Sequence, residues 1–425
     1  MIKNKISVIG LGYVGLPLAY TIAKNNKYSV YGFDINQSTI DAINNNSPLI
    51  KDPYIDKIKD SVKITASTSS DILKDSEYIF VCVPTPVKEN KLPNLAPLIS
   101  ASEYILDHLE KGQNIIIEST VNPGVCEDII LPILEQSGLK GGVDFELSHC
   151  PERINPGDKK WDVSNIPRNI GSLSKEGNKR VADFYRSIID GEIFELIDLK
   201  TSEATKIIEN TFRDINIAYV NELAKSFDIM EIDLLEVIKS ASSKPFAFMA
   251  HFPSCGVGGH CIPVDPYYLI EKARTNGFDH SFLKKAREVN LSMPAYTIEL
   301  LEKKLEELNL NYSNSKIGLL GLSYKANVSD LRESPSLILE NILNEKKANF
   351  KIFDPLIPEK SSTKTLEEIL DFSDAIIIAT DHNEFKILDS KKLNSHNIKI
   401  VIDGKNCLNK QEISSADIIY KGIGR

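Results

Sequence analysis

Two stretches far apart in the chain read almost alike: KISVIGLGYVG at 5–15 and KIGLLGLSYKA at 316–326. Each is a short aliphatic run that ends in a glycine loop, the form of a strand handing over to a helix across a tight turn. The likeness extends downstream, because SDILKDSEYIFVCVPT and LEEILDFSDAIIIATD share one hydrophobic layout. A chain with two such openings builds two sheets of one kind, and this restricts the fold more than any bulk property.

Around the first copy, strand-like runs (KISVIG, SVYGFD, SEYIFVCVP, NIIIEST) alternate with helical patterns such as VGLPLAYTIAKN. This βαβ alternation predicts a parallel sheet covered on both faces, with function at the carboxyl ends of its strands. Between about 200 and 300 the strands give way to long amphipathic patterns, SEATKIIENTFRDINIAYVNELAKSF and SFLKKAREVNLSMPAYTIELLEKKLEEL. After a long linking helix the βα pattern restarts. The expected class is α/β, two doubly wound parallel-sheet domains, 1–195 and 310–425, joined by a helical domain over 196–309. The length of 425 residues suits such a division.

Within the first copy, Gly10, Gly12 and Gly15 form G-x-G-x-x-G between strand and helix, with Tyr13 and Val14 inside the turn. Small residues there let a helix amino terminus meet a diphosphate. Asp34 ends the next strand, where a carboxylate accepts hydrogen bonds from ribose hydroxyls. No arginine follows in GFDINQS to hold a 2′-phosphate, so the expected cofactor is NAD bound by a Rossmann-like domain. The second copy carries Ser323 and Ala326 where the first has glycines, so it is expected to bind something else.

The chain places Cys261 in GVGGHCIPVDP, after Gly256, Gly258 and Gly259. Glycines there let a ligand approach the main chain, and a helix terminus or a cation such as Lys206 would favour the thiolate. Two other readings stay open: an inert thiol, and a metal held by His251, Cys255, His260 and Cys261, although H-x3-C-x4-H-C is not a familiar zinc spacing. The remaining cysteines, Cys82, Cys126, Cys150 and Cys407, form no C-x-x-C pair and are expected to be reduced, Cys82 as a core residue.

The net charge of −9, from 50 basic and 59 acidic residues, gives no reason to expect nucleic acid or a membrane surface as partner. No segment approaches the roughly 20 apolar residues of a spanning helix, and the amino terminus enters its first strand without a leader pattern. The expected location is the cytoplasm.

Taken together, GLGYVGLPLA, VPTP, ESTVNPG, PERINPGD, EATKIIENTFRDINIA, GVGGHCIPVDPYYL and KANVSDLRESP resemble the UDP-glucose/GDP-mannose dehydrogenase family, in the family's order and across nearly the whole chain. The resemblance implies two Rossmann-like domains around a helical dimerisation domain, with the nucleotide sugar on the second copy. It implies oxidation of a sugar C6 alcohol to a carboxylate with two NAD⁺. Such a reaction passes through an aldehyde, and a thiolate adding to its carbonyl creates the thiohemiacetal from which a second hydride can leave, giving a thioester for water to cleave.

Carried over by motif, the resemblance makes Cys261 the nucleophile. Lys206 and Asn210, four apart on a helix, become a clamp for the developing oxyanion. Asp265 holds a water or Lys206 during proton removal, and Glu152 and Thr120 position the hydrolytic water, with Glu118 a further possibility; the true base of each half-reaction stays open. Pro84, Thr85, Thr120 and Arg332 join the cofactor set, with Arg332 on its diphosphate. Arg153, Gly258, Gly259 and Lys325 join Glu152, Lys206 and Asn210 around the substrate.

PERINPGDKK, IENTFRDINIA and GGHCIPVDPYY resemble the branch that acts on UDP-N-acetylhexosamines in surface-polysaccharide synthesis; UDP-glucose members more often carry serine where His260 stands. UDP-glucose and GDP-mannose are the alternatives. KPFAFMAHFP departs from the family where many members carry an arginine for a partner subunit's substrate, and Arg213 is the expected compensating cation. The long apolar-faced helices predict a homodimer. Two rivals are a two-domain hydroxyacid or secondary-alcohol dehydrogenase and a catalytically silent NAD-binding scaffold.

Overall fold

A computed structural model describes residues 4–50, 53–88, 92–154 and 160–425. The chain packs as two compact units, 1–209 with 267–278, and 210–266 with 279–425. The helices Leu199–Ile229, Leu234–Ala241, Asp265–Thr275, Ser281–Leu291 and Met293–Glu307 supply the helical segment, and its residues are shared between the two units.

The first unit is built on eight strands: β1 (Asn4–Ile9), β2 (Tyr28–Phe33), β3 (Thr65–Ser67), β4 (Tyr78–Val81), β5 (Asn114–Ile117), β6 (Glu146–His149), β7 (Arg168–Ser172) and β8 (Ile193–Glu195). Their order is β3-β2-β1-β4-β5-β6-β7-β8. The sequence direction reverses between β1 and β4, the switch point at which doubly wound sheets bind ligands. Period-2 alternation sends Ile6, Val8 and Phe80 into one core and Ile9, Ile79 and Val81 into the other, which is why these strands read as unbroken apolar runs.

One pairing departs from expectation, since β7 runs antiparallel to β6. Parallel neighbours need a crossover, usually a helix. Among the described residues of 150–167 none is helical, so the chain turns back on itself.

The second unit carries β9 (Lys316–Leu320), β10 (Asn349–Phe353), β11 (Ala375–Ile378), β12 (Ile400–Asp403) and β13 (Ile419–Gly422), all parallel, in the order β10-β9-β11-β12-β13. The repeat is matched bond for bond. Gly10 N–H donates to Phe33 O and Gly321 N–H to Phe353 O, each at 2.8 Å. Leu11 N–H donates to Asp34 Oδ2 at 2.8 Å and Leu322 N–H to Asp354 Oδ2 at 2.7 Å.

The copies part at the next step. In the first, a helix begins at Gly15; in the second, no helix forms until Pro335, and the intervening loop carries Ser323, Lys325 and Arg332. Loss of the second and third glycines thus goes with an enlarged loop.

Candidate active site

In the first unit the glycine turn has three distinct uses. Gly10 stands at φ +85°, and a Cβ on it would lie 2.9 Å from Cys82 O. A Cβ on Gly15 would lie 1.9 Å from Gly10 O, so only glycine lets the helix start this close to the turn. Gly12 has nothing within 4 Å of its Cβ position and faces open space. No side chain caps the helix Gly15–Lys24 at Val14, and Tyr13 is half exposed beside it. Asp34 Oδ1 and Oδ2 accept from Asn36 N–H and Leu11 N–H, leaving lone pairs for ribose hydroxyls. These features fit the diphosphate and adenosine ribose of NAD.

The loops after β4 and β5 are tied together at the same strand ends. Thr85 Oγ1 donates to Thr120 O at 2.7 Å, Tyr268 OH donates to Thr85 O, and Pro84 lies exposed beside them. Glu203 secures the following turn, its carboxylate accepting from Gly124 N–H at 2.5 Å and Cys126 N–H at 2.9 Å. Burial pushes this carboxyl up to about 7.

Lys206, buried, lies one turn beyond Glu203 on the helix Leu199–Ile229. Burial above all, with the charge of Lys206 adding to it, holds His149 down at about 3, so the ring is neutral. His149 Nε2–H faces Ser119 O, and Nδ1 meets Ser202 Oγ at 2.9 Å.

Glu152 Oε1 accepts from the backbone N–H groups of Arg153 and Ile154, while Oε2 lies 2.9 Å from Nη2 of Arg168. The guanidinium of Arg153 is engaged by both oxygens of Glu209 and by Pro167 O. Of the motif PERINPGD, residues 155–158 lie outside the described residues. Glu118 is corrected as a candidate for positioning water: it is fully buried, bonded to Arg168 at 2.9 Å and to Tyr185 OH, and turned away from solvent.

In the second unit, Cys261 is the exposed one of the six cysteines, all of which are described. Its carbonyl accepts from Val264 N–H and Asp265 N–H, which sets it one turn ahead of the helix Asp265–Thr275, where negative charge is stabilised. Arg332 is a cation near it within this unit: Gly259 N–H donates to Arg332 O, and the guanidinium lies in electrostatic reach of Cys261 while paired with Asp330 at 2.6 Å. Burial, then Arg332, lower His260, which stays neutral near pH 7.

Gly258 and Gly259 pack against the enlarged loop of the second copy. Their Cβ positions lie 2.7 and 2.8 Å from Tyr324 atoms, so the space a ligand was to use on that side is filled by the chain itself. Asn210 and Asp265 are brought together, Asn210 Nδ2 donating to Asp265 Oδ2 at 2.5 Å. Lys325 lies half-buried in the enlarged loop, and Arg213 is exposed on the long helix. Cys255 is buried with Sγ toward Ala379 O, and His251 turns to Met249 O, so these two candidate metal ligands engage different partners.

Arg168, Glu203, His149 and His382 escaped the sequence reading. His382 accepts from Asn327 N–H and meets Ser323 Oγ and Asp354, pinning the loop of Lys325 to the end of β11. The available signal was slight: an arginine or histidine at the edge of an apolar strand, as in PRNIGS, ELSHC and IIIATDH.

Three family models match in succession: the NAD binding domain of the UDP-glucose/GDP-mannose dehydrogenase family over 4–189, its central domain over 200–292 and its UDP binding domain over 318–410. The chain belongs to this family. It is an NAD-dependent nucleotide-sugar dehydrogenase. The UDP-N-acetyl-D-mannosamine dehydrogenase of Pyrococcus horikoshii is 36% identical over 99% of both chains. The UDP-N-acetyl-D-glucosamine 6-dehydrogenase of Pseudomonas aeruginosa is 37% identical over 92% of this chain and 93% of its own. The solved P. horikoshii UDP-D-ManNAc dehydrogenase superposes with a TM-score of 0.93 at 36% identity, covering 99% of each chain. The native structure of Cap5O, a UDP-N-acetyl-mannosamine dehydrogenase of Staphylococcus aureus, gives 0.86 at 32%, covering 99% of this chain and 98% of its own.

Proposed function

We propose that this family member oxidises C6 of a UDP-N-acetylhexosamine to the carboxylate, a four-electron reaction through a covalent bond to Cys261. The observation that carries the substrate class is full-length likeness at 36–37% identity to dehydrogenases of two such sugars. Gly10, Gly12, Gly15 and Asp34, with Thr85 and Thr120 alongside, would hold NAD⁺, which would supply the hydride acceptor for each oxidation. Arg332 serves both the diphosphate and, by its place near Cys261, the thiolate.

The chain's own groups do the rest. Loss of the hydroxyl proton and a hydride from C6 yields the aldehyde, whose oxygen is stabilised by Lys206 and Asn210. Asp265 holds the Asn210 amide through the 2.5 Å bond and so fixes which of its atoms faces the sugar. The Cys261 thiolate adds to the carbonyl, the second hydride leaves, and the thioester remains. Water then adds at C6, the C–S bond breaks with its electron pair on sulfur, and Glu152 takes the water's proton. Lys325, Arg213 and Arg153 complete the substrate's surroundings.

The three-part division at about 195 and 310 is proposed as one of function: cofactor, subunit contact, nucleotide sugar. Exposed Ile208, Phe212 and Tyr219 recur along one helix at spacings of four and seven, and support a homodimer through it. A mechanism that needs Cys261 as a thiol fits a reducing cytoplasm, and the uronate product fits supply to surface polysaccharide. No helix among the described residues is long and apolar enough to cross a membrane.

The test is a panel of nucleotide sugars assayed for NADH, with Cys261→Ser beside the unaltered protein. UDP-N-acetylhexosamines are expected to be turned over, and Cys261→Ser is expected to form no acid while binding NAD normally. Acid formation by Cys261→Ser at the unaltered rate contradicts the mechanism.

A further inference from the structure

Arg168 is fully buried on β7, with Nη1 2.9 Å from Glu118 Oε2 and Nη2 2.9 Å from Glu152 Oε2. The Tyr185 ring lies 5.9 Å from the guanidinium, and its hydroxyl donates to Glu118. Burying charges in this way costs several kcal/mol per ion, and an apolar set of the same volume would stabilise the sheet as well or better. The cluster therefore calls for a role beyond packing.

It is sealed everywhere except at Glu152, whose side chain is 10% exposed. One oxygen of Glu152 accepts from two backbone N–H groups, and the other lies in an ion pair 2.9 Å from Arg168 Nη2 without a hydrogen bond between them, so charge attraction draws the free edge of the carboxylate toward Arg168. Burial pushes the carboxyl of Glu118 up, against the opposing pull of Arg168, and both of its oxygens accept, one from Arg168 and one from Tyr185 OH.

We propose that Arg168, steadied by Glu118 and Tyr185, is the positioning residue for the water-activating carboxylate Glu152 in cleavage of the thioester. This rests on the proposed function. Arg168 touches neither substrate nor cofactor; it keeps Glu152 oriented to receive the proton when water adds to C6 and sulfur departs.

The role separates the two halves of the reaction. In Arg168→Lys, both hydride transfers are expected at the unaltered rate, seen as a rapid burst of two NADH per subunit. Steady turnover is expected to fall about 10²-fold, the order expected for a misplaced catalytic group. The acyl-enzyme then accumulates, and intact-mass measurement of the quenched protein finds the sugar acyl group on Cys261. Tyr185→Phe, a milder change, is expected to show the same pattern with roughly tenfold slower hydrolysis, and it decides the question if Arg168→Lys does not fold.

Parallel loss of burst and turnover, or slow turnover without adduct, overturns the proposal, because a purely structural role weakens both halves together. An unaltered protein that yields two NADH per sugar in that case leaves the proposed function standing. An unaltered protein that yields none overturns the function itself.

Discussion

Glu203→Gln isolates one carboxylate that ties the long helix to the turn after Thr120. Burial of Glu203 outweighs the two backbone N–H groups it accepts from and raises its pKa from 4.5 to about 7. The folded chain then holds this proton more tightly than the unfolded chain. Its contribution to stability is complete below about pH 4.5, is lost as pH climbs through about 7, and is flat above. A shift of about 2.5 units corresponds to about 3 kcal/mol. For a folding unit of about 200 residues this is roughly 6–12 °C in melting temperature. Glutamine has no proton to lose, so the difference between unaltered protein and Glu203→Gln, read by scanning calorimetry from pH 4.5 to 8, should move by that amount in favour of the variant. Glu118 titrates in the same direction in both proteins and cancels in the difference. A difference constant with pH would refute the assignment of the shift to Glu203.

Gly12→Ala and Gly15→Ala should separate fold from cofactor. With nothing within 4 Å of its Cβ position, Gly12→Ala should leave melting within about 0.5 kcal/mol of the unaltered protein while weakening NAD at least tenfold by calorimetric titration, and unchanged affinity would contradict the diphosphate's place. Gly15→Ala, 1.9 Å from Gly10 O, should lose both affinity and about 1–3 kcal/mol of stability. In the second unit, Asp214→Ala strips buried Arg287 of a carboxylate 2.5 Å away and should destabilise by about 3–5 kcal/mol in urea denaturation; a loss under 1 kcal/mol would contradict a dry ion pair.

The features legible in the sequence were those written in neighbouring residues. The strand, glycine turn and closing acid of each copy lie within a few dozen positions, and Gly10, Asp34, Gly321 and Asp354 make matching bonds. Lys206 and Asn210 enter as a pair through the motif resemblance, and the helix Leu199–Ile229 carries both, four residues apart. Contacts across long separations were not legible. Arg168 gains its meaning from Glu118 and Glu152, His382 from Ser323 and Asn327, and nothing beside either residue announces those partners. The glycines before Cys261 were read as room for a ligand, whereas Tyr324, distant in sequence, fills the Cβ side of two of them. The reversal of β7 lay in a connection without a helix among its described residues, a negative signal that composition does not carry.

The proposed chemistry stands on a sulfur–carbon bond that makes a second oxidation possible at the same carbon. Its most direct test is the amount of NADH formed when a limiting quantity of a UDP-N-acetylhexosamine is consumed to completion, with the product identified by mass. Two NADH per sugar and a uronic acid are predicted. One NADH per sugar, with a ketone or a released aldehyde as the product, would contradict it.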